Sequence, residues 1–303
     1  MLENTQSRSV YTMQKGGWFY VRCILIMIFG VLLLAPFESF IPEHIYMFLQ
    51  MIMPYILISV MLIFTLHKHD IDIEGDGNFD LMNIFLTLPI TFCIYPLTLL
   101  IVTVYSELIP NSAGGIDADM IPNLVRLGPV FGWIMMAVIP ATVEEYVCRG
   151  LLYSVARKRG FVFATIVTSV CFSLLHMGLQ QALYTLFLGV LLAIVREFTK
   201  SVYPCMLIHL WYNSLSVFAI YFGSEIVDNP EVSNTTEVSF LDTVLFLEIL
   251  SVLLLIVLFF VLRFLAKYNC YVFDKTVDKT QSGLTKGFVI GYVICGILMI
   301  LTL

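Results

Sequence analysis

Six polar side chains that could contribute to a hydrolytic reaction lie within or beside apolar stretches of the chain. They form three groups along the sequence: Glu144, Glu145 and Arg149, then His176, and finally His209 and Asn213. Ionisable groups inside a membrane are costly, and they usually mark functional sites. A carboxylate and an imidazole can together activate water, while imidazole and carboxamide N–H groups can stabilise an oxyanion. The set therefore predicts attack of water on an amide.

The first group contains two carboxylates with different surroundings. On a helix, Glu145 and Arg149 are four residues apart and share a face, so Arg149 can neutralise Glu145. Glu144 is rotated by about 100° from Glu145 and is free to point elsewhere. We interpret Glu144 as a general base; the alternative is a pair of interfacial charges near a helix end.

The spacing of the groups predicts which side chains meet. Glu144 lies 16 residues before Gly160, a predicted turn, and His176 lies 16 residues after it. At about 1.5 Å per residue, antiparallel helices place the two at the same depth. His209 follows Lys200 by only nine residues, so it reaches that depth only if the 196–204 loop dips into the bilayer.

Other hydrolytic mechanisms have weaker support. No Ser or Cys has a base at a spacing typical of a catalytic pair, and no HExxH motif is present. Glu144, His176 and His209 form an alternative set of zinc ligands. Arg149 beside the carboxylates disfavours a cation, so we expect no metal and no other cofactor.

The composition predicts the elements that position these residues. Of 303 residues, 59% are apolar and 13% are charged, with a net charge of −6. This excludes a soluble enzyme, a disordered chain and a nucleic-acid binder. Since roughly 20 apolar residues cross a bilayer as a helix, we expect an all-α, polytopic bundle of about eight to nine segments in a single domain, residues 1–303. The candidates are 18–37, 44–66, 81–109, 130–156, 161–178, 180–195, 203–223, 240–262 and 287–303, of which 161–178, 180–195 and 287–303 are short.

The distribution of charge predicts the orientation of this bundle. With a cytoplasmic N-terminus and an external C-terminus, every Lys and Arg except Arg126 falls on the cytoplasmic side. The 224–239 loop is acidic, has no Lys or Arg, and is expected outside.

Three motifs in this order on three membrane segments resemble a known family. Glu144-Glu145-x-x-x-Arg149, Phe172-x-x-x-His176 and His209-x-x-x-Asn213 are similar to the motifs of the CAAX protease and bacteriocin-processing intramembrane proteases. This family includes the Ras-converting enzyme and many bacterial Abi proteins. The resemblance covers roughly residues 125–220, which we take as the catalytic core.

The resemblance implies a role for each residue. Glu144 would be the general base, His176 would help to position the water, Glu145 and Arg149 would form an orienting pair, and His209 and Asn213 would form the oxyanion site. It implies a glutamic-type endopeptidase, although a metalloprotease is the alternative, acting near the cytoplasmic face on peptides or membrane-protein tails. We expect the protein in a bacterial cell membrane, with the lipid bilayer and a peptide substrate as partners and no nucleic acid.

Two readings from other functional classes compete with proteolysis. The same residues could serve a non-catalytic bacteriocin-immunity protein or a peptide or proton transporter. Many transporters carry inverted repeats, and the sequence shows none. A non-catalytic relative is expected to lose at least one of Glu144, His176 and His209, and all three are present.

Overall fold

The computed structural model describes residues 11–71, 73, 75, 77, 79–109, 120–227, 239–274, 277–278 and 283–301, and these contain helices and no strand. We number the helices in chain order. They are α1 (Met13–Leu32), α2 (Glu43–His69), α3 (Leu81–Leu108), α4 (Met120–Leu127), α5 (Pro129–Trp133), α6 (Ile139–Glu145), α7 (Tyr153–Ala156), α8 (Phe161–Leu174), α9 (Leu179–Thr199), α10 (Tyr203–Val227), α11 (Phe240–Tyr268) and α12 (Lys286–Leu301).

The nine predicted apolar segments all coincide with helices in this bundle. Seven helical stretches are long and apolar enough to cross a membrane, and two shorter apolar helices, α8 and α12, accompany them. The predicted class, a polytopic helical membrane bundle, is confirmed. The expectation that 180–195 is short was wrong, because α9 extends over 21 residues. The acidic 224–239 loop lies largely outside the described residues.

The helix that carries the two glutamates is irregular. α5, α6 and α7 run as one continuous stretch, Pro129–Arg159, joined by two π-helical turns, Ile134–Val138 and Tyr146–Leu152. π-helical turns widen the helix locally and are frequent at functional sites. The second turn contains Arg149 and directly follows Glu145, so the irregularity falls within the first motif.

Close packing of α8 against α9 completes the centre of the bundle. A Cβ added at Gly189 would lie 3.1 Å from Ser169 Cα, so a glycine lets the two backbones approach. The same residue leaves its carbonyl accessible to Arg149 Nη2, which donates to it at 3.0 Å.

The turn between α9 and α10 is buried rather than exposed. Thr199, Ser201 and Val202 are at most 2% exposed. Gly77, from the segment after α2, donates its N–H to the Lys200 carbonyl at 3.2 Å, and a Cβ there would overlap the Thr199 carbonyl oxygen. The Gly77 segment therefore covers the turn that precedes His209, and the dip of this loop into the bilayer stays a prediction.

The cysteines give a direct test of orientation. Six of the seven are buried, and Cys270, which follows α11 at the basic end of the bundle, is exposed. With a cytoplasmic N-terminus, a membrane-impermeant maleimide should label the protein in permeabilised cells and not in intact cells. The Cys270→Ser variant, as control, should stay unlabelled in both. Labelling of the wild type in intact cells would reverse the predicted orientation.

Candidate active site

A fully buried ion pair lies at the base of the site. Arg149 Nη1 donates to Glu145 Oε1 at 3.0 Å, and both side chains are 0% exposed. The predicted i,i+4 pair is therefore present. Together the two charges are neutral, which removes most of the cost of placing either one in an apolar interior.

Glu145 also fixes the first of the two histidines. His209 Nδ1 lies 3.0 Å from Glu145 Oε1, and because a carboxylate accepts, Nδ1 is the donor. His209 is 2% exposed. The contact joins α10 to α6, so the third motif is attached to the first through one carboxylate oxygen.

The aromatic ring of Phe172 connects these groups to the second histidine. The ring lies edge-to-face with His176 and with His209, with centroid separations of 5.3 Å in both cases. The Arg149 guanidinium carbon lies 4.4 Å from its centroid, within range of a cation–π contact. Phe172 is completely buried, so its ring sets the positions of three functional side chains at once.

Glu144 points away from this cluster and faces His176. The distance from Glu144 Oε2 to His176 Nε2 is 4.0 Å, too long for a direct hydrogen bond and short enough for both atoms to contact one water molecule. Glu144 Oε2 is buried and has no hydrogen-bond partner among the described residues. The equal depth predicted for these two residues agrees with this proximity.

A hydrogen bond to the backbone determines the tautomer of His176. His176 Nδ1 lies 3.0 Å from the Phe172 carbonyl oxygen, and because a carbonyl can only accept, Nδ1 carries the proton. In the neutral ring, Nε2 is then an acceptor. A water between Glu144 and His176 would give one hydrogen to each, leaving its lone pairs free.

Tyr55 holds the other oxygen of Glu144. The Tyr55 hydroxyl, on α2, donates to Glu144 Oε1 at 2.7 Å. No pattern in the sequence singled out Tyr55. It lies 89 positions upstream of Glu144 in a segment without a motif, and nothing local distinguishes it from the other 14 tyrosines of the chain.

These side chains border a cavity of about 590 Å³. Glu144, His176, His209 and Asn213 all line it, so the structure brings together the predicted base, both imidazoles and the predicted carboxamide donor. Glu145 and Arg149 lie behind this wall. Further polar groups on the wall are Gln50, Tyr95, Thr98, Gln180, Gln181 and Ser216.

The cavity extends away from the basic turn at Arg157–Arg159. It reaches Gln180, whose side chain donates to Ser106 near the opposite end of the bundle at 2.8 Å. In the predicted orientation this is the outer half of the membrane. With a cytoplasmic N-terminus, this position would favour cleavage in the outer half rather than near the cytoplasmic face, and the side of cleavage stays a prediction.

A search for a preformed metal centre finds none. Among the described residues, no group of three or more His, Cys, Asp and Glu side chains could hold a metal ion. His209 donates through Nδ1 to Glu145, a contact that histidine ligands of metals also make and that leaves Nε2 available. The absence of a metal, and the alternative of zinc held by Glu144, His176 and His209, both stay predictions.

Comparison with known proteins finds one family. The model of the type II CAAX prenyl endopeptidase Rce1-like family matches residues 126–215. Over these residues the chain is similar to the CAAX protease family. The matched segment contains all three motifs and runs from the end of α4 into α10. No curated protein and no solved structure matches the chain.

The similarity supports a general class of activity. The apolar helices support an integral membrane protein, and the family match supports a protease, a hydrolase that acts on a peptide substrate. The match does not reach α1, α2 or α3, although Tyr55 comes from this part of the chain.

The buried ion pair yields a prediction about stability. In Arg149→Met the Glu145 carboxylate stays buried without its partner, so the free energy of unfolding should fall by about 3–5 kcal/mol. Unfolding in detergent, followed by circular dichroism, measures the change. Arg126→Met, at an exposed position on α4, is the control and should change by less than about 0.5 kcal/mol. Equal effects of the two substitutions would show that the pair is not required.

Proposed function

We propose that the protein is an intramembrane endopeptidase of the CAAX protease type and of glutamic mechanism, in which Glu144 and His176 activate water. The proposal rests on the 4.0 Å distance between Glu144 Oε2 and His176 Nε2. Both residues line a cavity that is large enough for part of a peptide. Both atoms are acceptors, so they orient the hydrogens of a bound water and leave its oxygen directed at the substrate.

The proposed reaction passes through a tetrahedral intermediate. The water oxygen attacks the peptide carbonyl carbon, Glu144 takes the proton that this oxygen releases, and the carbonyl oxygen becomes an oxyanion. The oxyanion's electron pair then re-forms the carbonyl as the C–N bond breaks, which leaves a carboxyl group on the new C-terminus. The leaving amine receives the proton from Glu144, which regenerates the Glu144 carboxylate.

His209 and Asn213 are placed to stabilise the oxyanion. They are one helical turn apart on α10, and both line the cavity beside Glu144. The Asn213 carboxamide has N–H donors in any protonation state. His209 already donates through Nδ1 to Glu145, so its Nε2 can donate as well only when the ring carries both protons.

The surroundings of the site define the substrate in general terms. The cavity walls combine apolar side chains with amides and tyrosines, which suits an extended peptide or the tail of a membrane protein. We place the enzyme in a bacterial cell membrane, with its cavity toward the outer half of the bilayer.

The Glu144→Gln variant tests the proteolytic role. The carboxamide keeps the shape and cannot accept the proton, so cleavage should fall by about 10²–10⁴-fold while the unfolding midpoint is retained. Purified protein in proteoliposomes, incubated with a peptide library and analysed by mass spectrometry, provides the assay. Glu248→Gln, at an exposed carboxylate of α11, should behave like the wild type. Unchanged cleavage in Glu144→Gln would contradict the role of Glu144 as the general base, and absence of cleavage by the wild type as well would favour a binding role such as immunity.

Tyr55 should act as a positioning residue for Glu144. Tyr55→Phe removes the donor to Oε1, and kcat should fall by about tenfold or more, the range expected for a hydrogen bond to a charged group, with KM unchanged. Tyr46→Phe, at a buried position on the same helix, serves as the control. A change in KM alone would assign Tyr55 to substrate binding instead.

The proposed reaction needs no metal ion. Activity should survive incubation with a strong chelator, and elemental analysis of the purified protein should find less than one zinc per chain. Loss of activity on chelation, followed by recovery when zinc is returned, would contradict the glutamic mechanism.

A further inference from the structure

A second cavity lies between α1 and α2, near the basic end of the bundle and apart from Glu144. Its volume is about 590 Å³. Basic and aromatic side chains from both helices line it: Lys15, Trp18 and Arg22 from α1, and Phe64, Lys68 and His69 from α2. No Asp or Glu is among its described lining residues. It is therefore a cationic groove in a chain whose net charge is negative.

The groove follows from the spacing of these residues. Lys15, Trp18 and Arg22 are separated by three and four residues, and so they lie along one face of α1. Phe64 and Lys68 are four residues apart on α2 and share a face in the same way. Antiparallel packing of the two faces aligns basic and aromatic side chains on both walls.

Two of the cations have no internal counter-charge. Arg22 and Lys68 are exposed, and neither makes a hydrogen bond or ion pair with another described residue. Each can therefore bind an external anion without giving up an existing contact. Arg22 also presents the planar guanidinium that matches two phosphate oxygens at once.

The depth of the groove favours a lipid over a free anion. Arg22 lies nine residues beyond Met13, where α1 begins, which corresponds to about 14 Å along the helix. Trp18 is 41% exposed and Phe64 is 73% exposed, as is usual for aromatic side chains at a membrane interface. The groove thus combines cations at headgroup level with apolar surface beside them.

We propose that the groove between α1 and α2 binds the headgroup of an anionic phospholipid. Arg22 and Lys68 contact its phosphate oxygens, Lys15 and His69 lie at the rim, and Trp18 and Phe64 contact the upper part of the acyl chains. Basic pockets between membrane helices bind anionic lipid headgroups through this chemistry. The inference is independent of the proteolytic mechanism, because none of these residues lines the Glu144 cavity.

The test measures lipid retention by the full-length protein. The protein is reconstituted in vesicles of equal parts phosphatidylglycerol and phosphatidylcholine, extracted in mild detergent, and examined by native mass spectrometry. The wild type should retain phosphatidylglycerol selectively. The double variant Arg22→Gln/Lys68→Gln should lose about tenfold or more of this retention.

The matched control removes the same charge elsewhere. Arg263 and Lys267 are exposed basic residues near the end of α11, outside the groove, and Arg263→Gln/Lys267→Gln should retain the lipid within about twofold of the wild type. Equal retention in the groove variant and the wild type, or equal losses in both variants, would overturn the proposal. Displacement of the lipid by inorganic phosphate would assign the groove to free anions instead.

A measurement on the wild type covers the case in which the groove variant does not fold. Phosphatidylglycerol should raise the thermal unfolding midpoint of the wild type and of the Arg263→Gln/Lys267→Gln control, whereas phosphatidylcholine should not. Absence of a phosphatidylglycerol-specific shift would overturn the proposal.

Discussion

The site depends on one ion pair that is completely excluded from solvent. Glu145 and Arg149 neutralise each other at 3.0 Å inside an apolar bundle, where an unpaired charge would be strongly destabilising. The pair also connects helices, since Arg149 donates to the Gly189 carbonyl of α9 and Glu145 contacts His209 of α10. Three membrane helices are thus held in register by two side chains.

Because this pair is fixed, the neighbouring candidate catalytic groups are fixed as well. Phe172 packs under the Arg149 guanidinium, and its ring contacts both imidazoles. Glu144 is the next residue along the helix from Glu145, so it must project toward another side. That side is the cavity, where His176 and Tyr55 meet its two oxygens.

The sequence was most informative where helix geometry alone decides the outcome. The apolar segments predicted the nine apolar helical stretches of the described residues, and the equal distances of Glu144 and His176 from Gly160 predicted their proximity. The i,i+4 spacing predicted the Glu145–Arg149 pair. In each case the relation is local, or it passes through a single tight turn, so counting residues is sufficient.

Contacts that depend on packing between distant segments could not be read in this way. The segment that carries Gly77 covers the turn at Lys200, and no local spacing predicts this contact. Tyr55 meets Glu144 only because α2 packs against α6, and the direction in which the cavity extends depends on all the helices together. These features depend on the packing of segments that are far apart in the sequence.

The proposed mechanism requires Glu144 and His176 to act as one unit on a single water. A double-mutant cycle on cleavage rates tests it most directly, with Glu144→Gln and His176→Ala made singly and together in proteoliposomes. If both residues hold the same water, the double variant should lose no more activity than the more damaged single variant. A loss in the double variant equal to the product of the two single losses would show that the residues act independently, and would contradict the account.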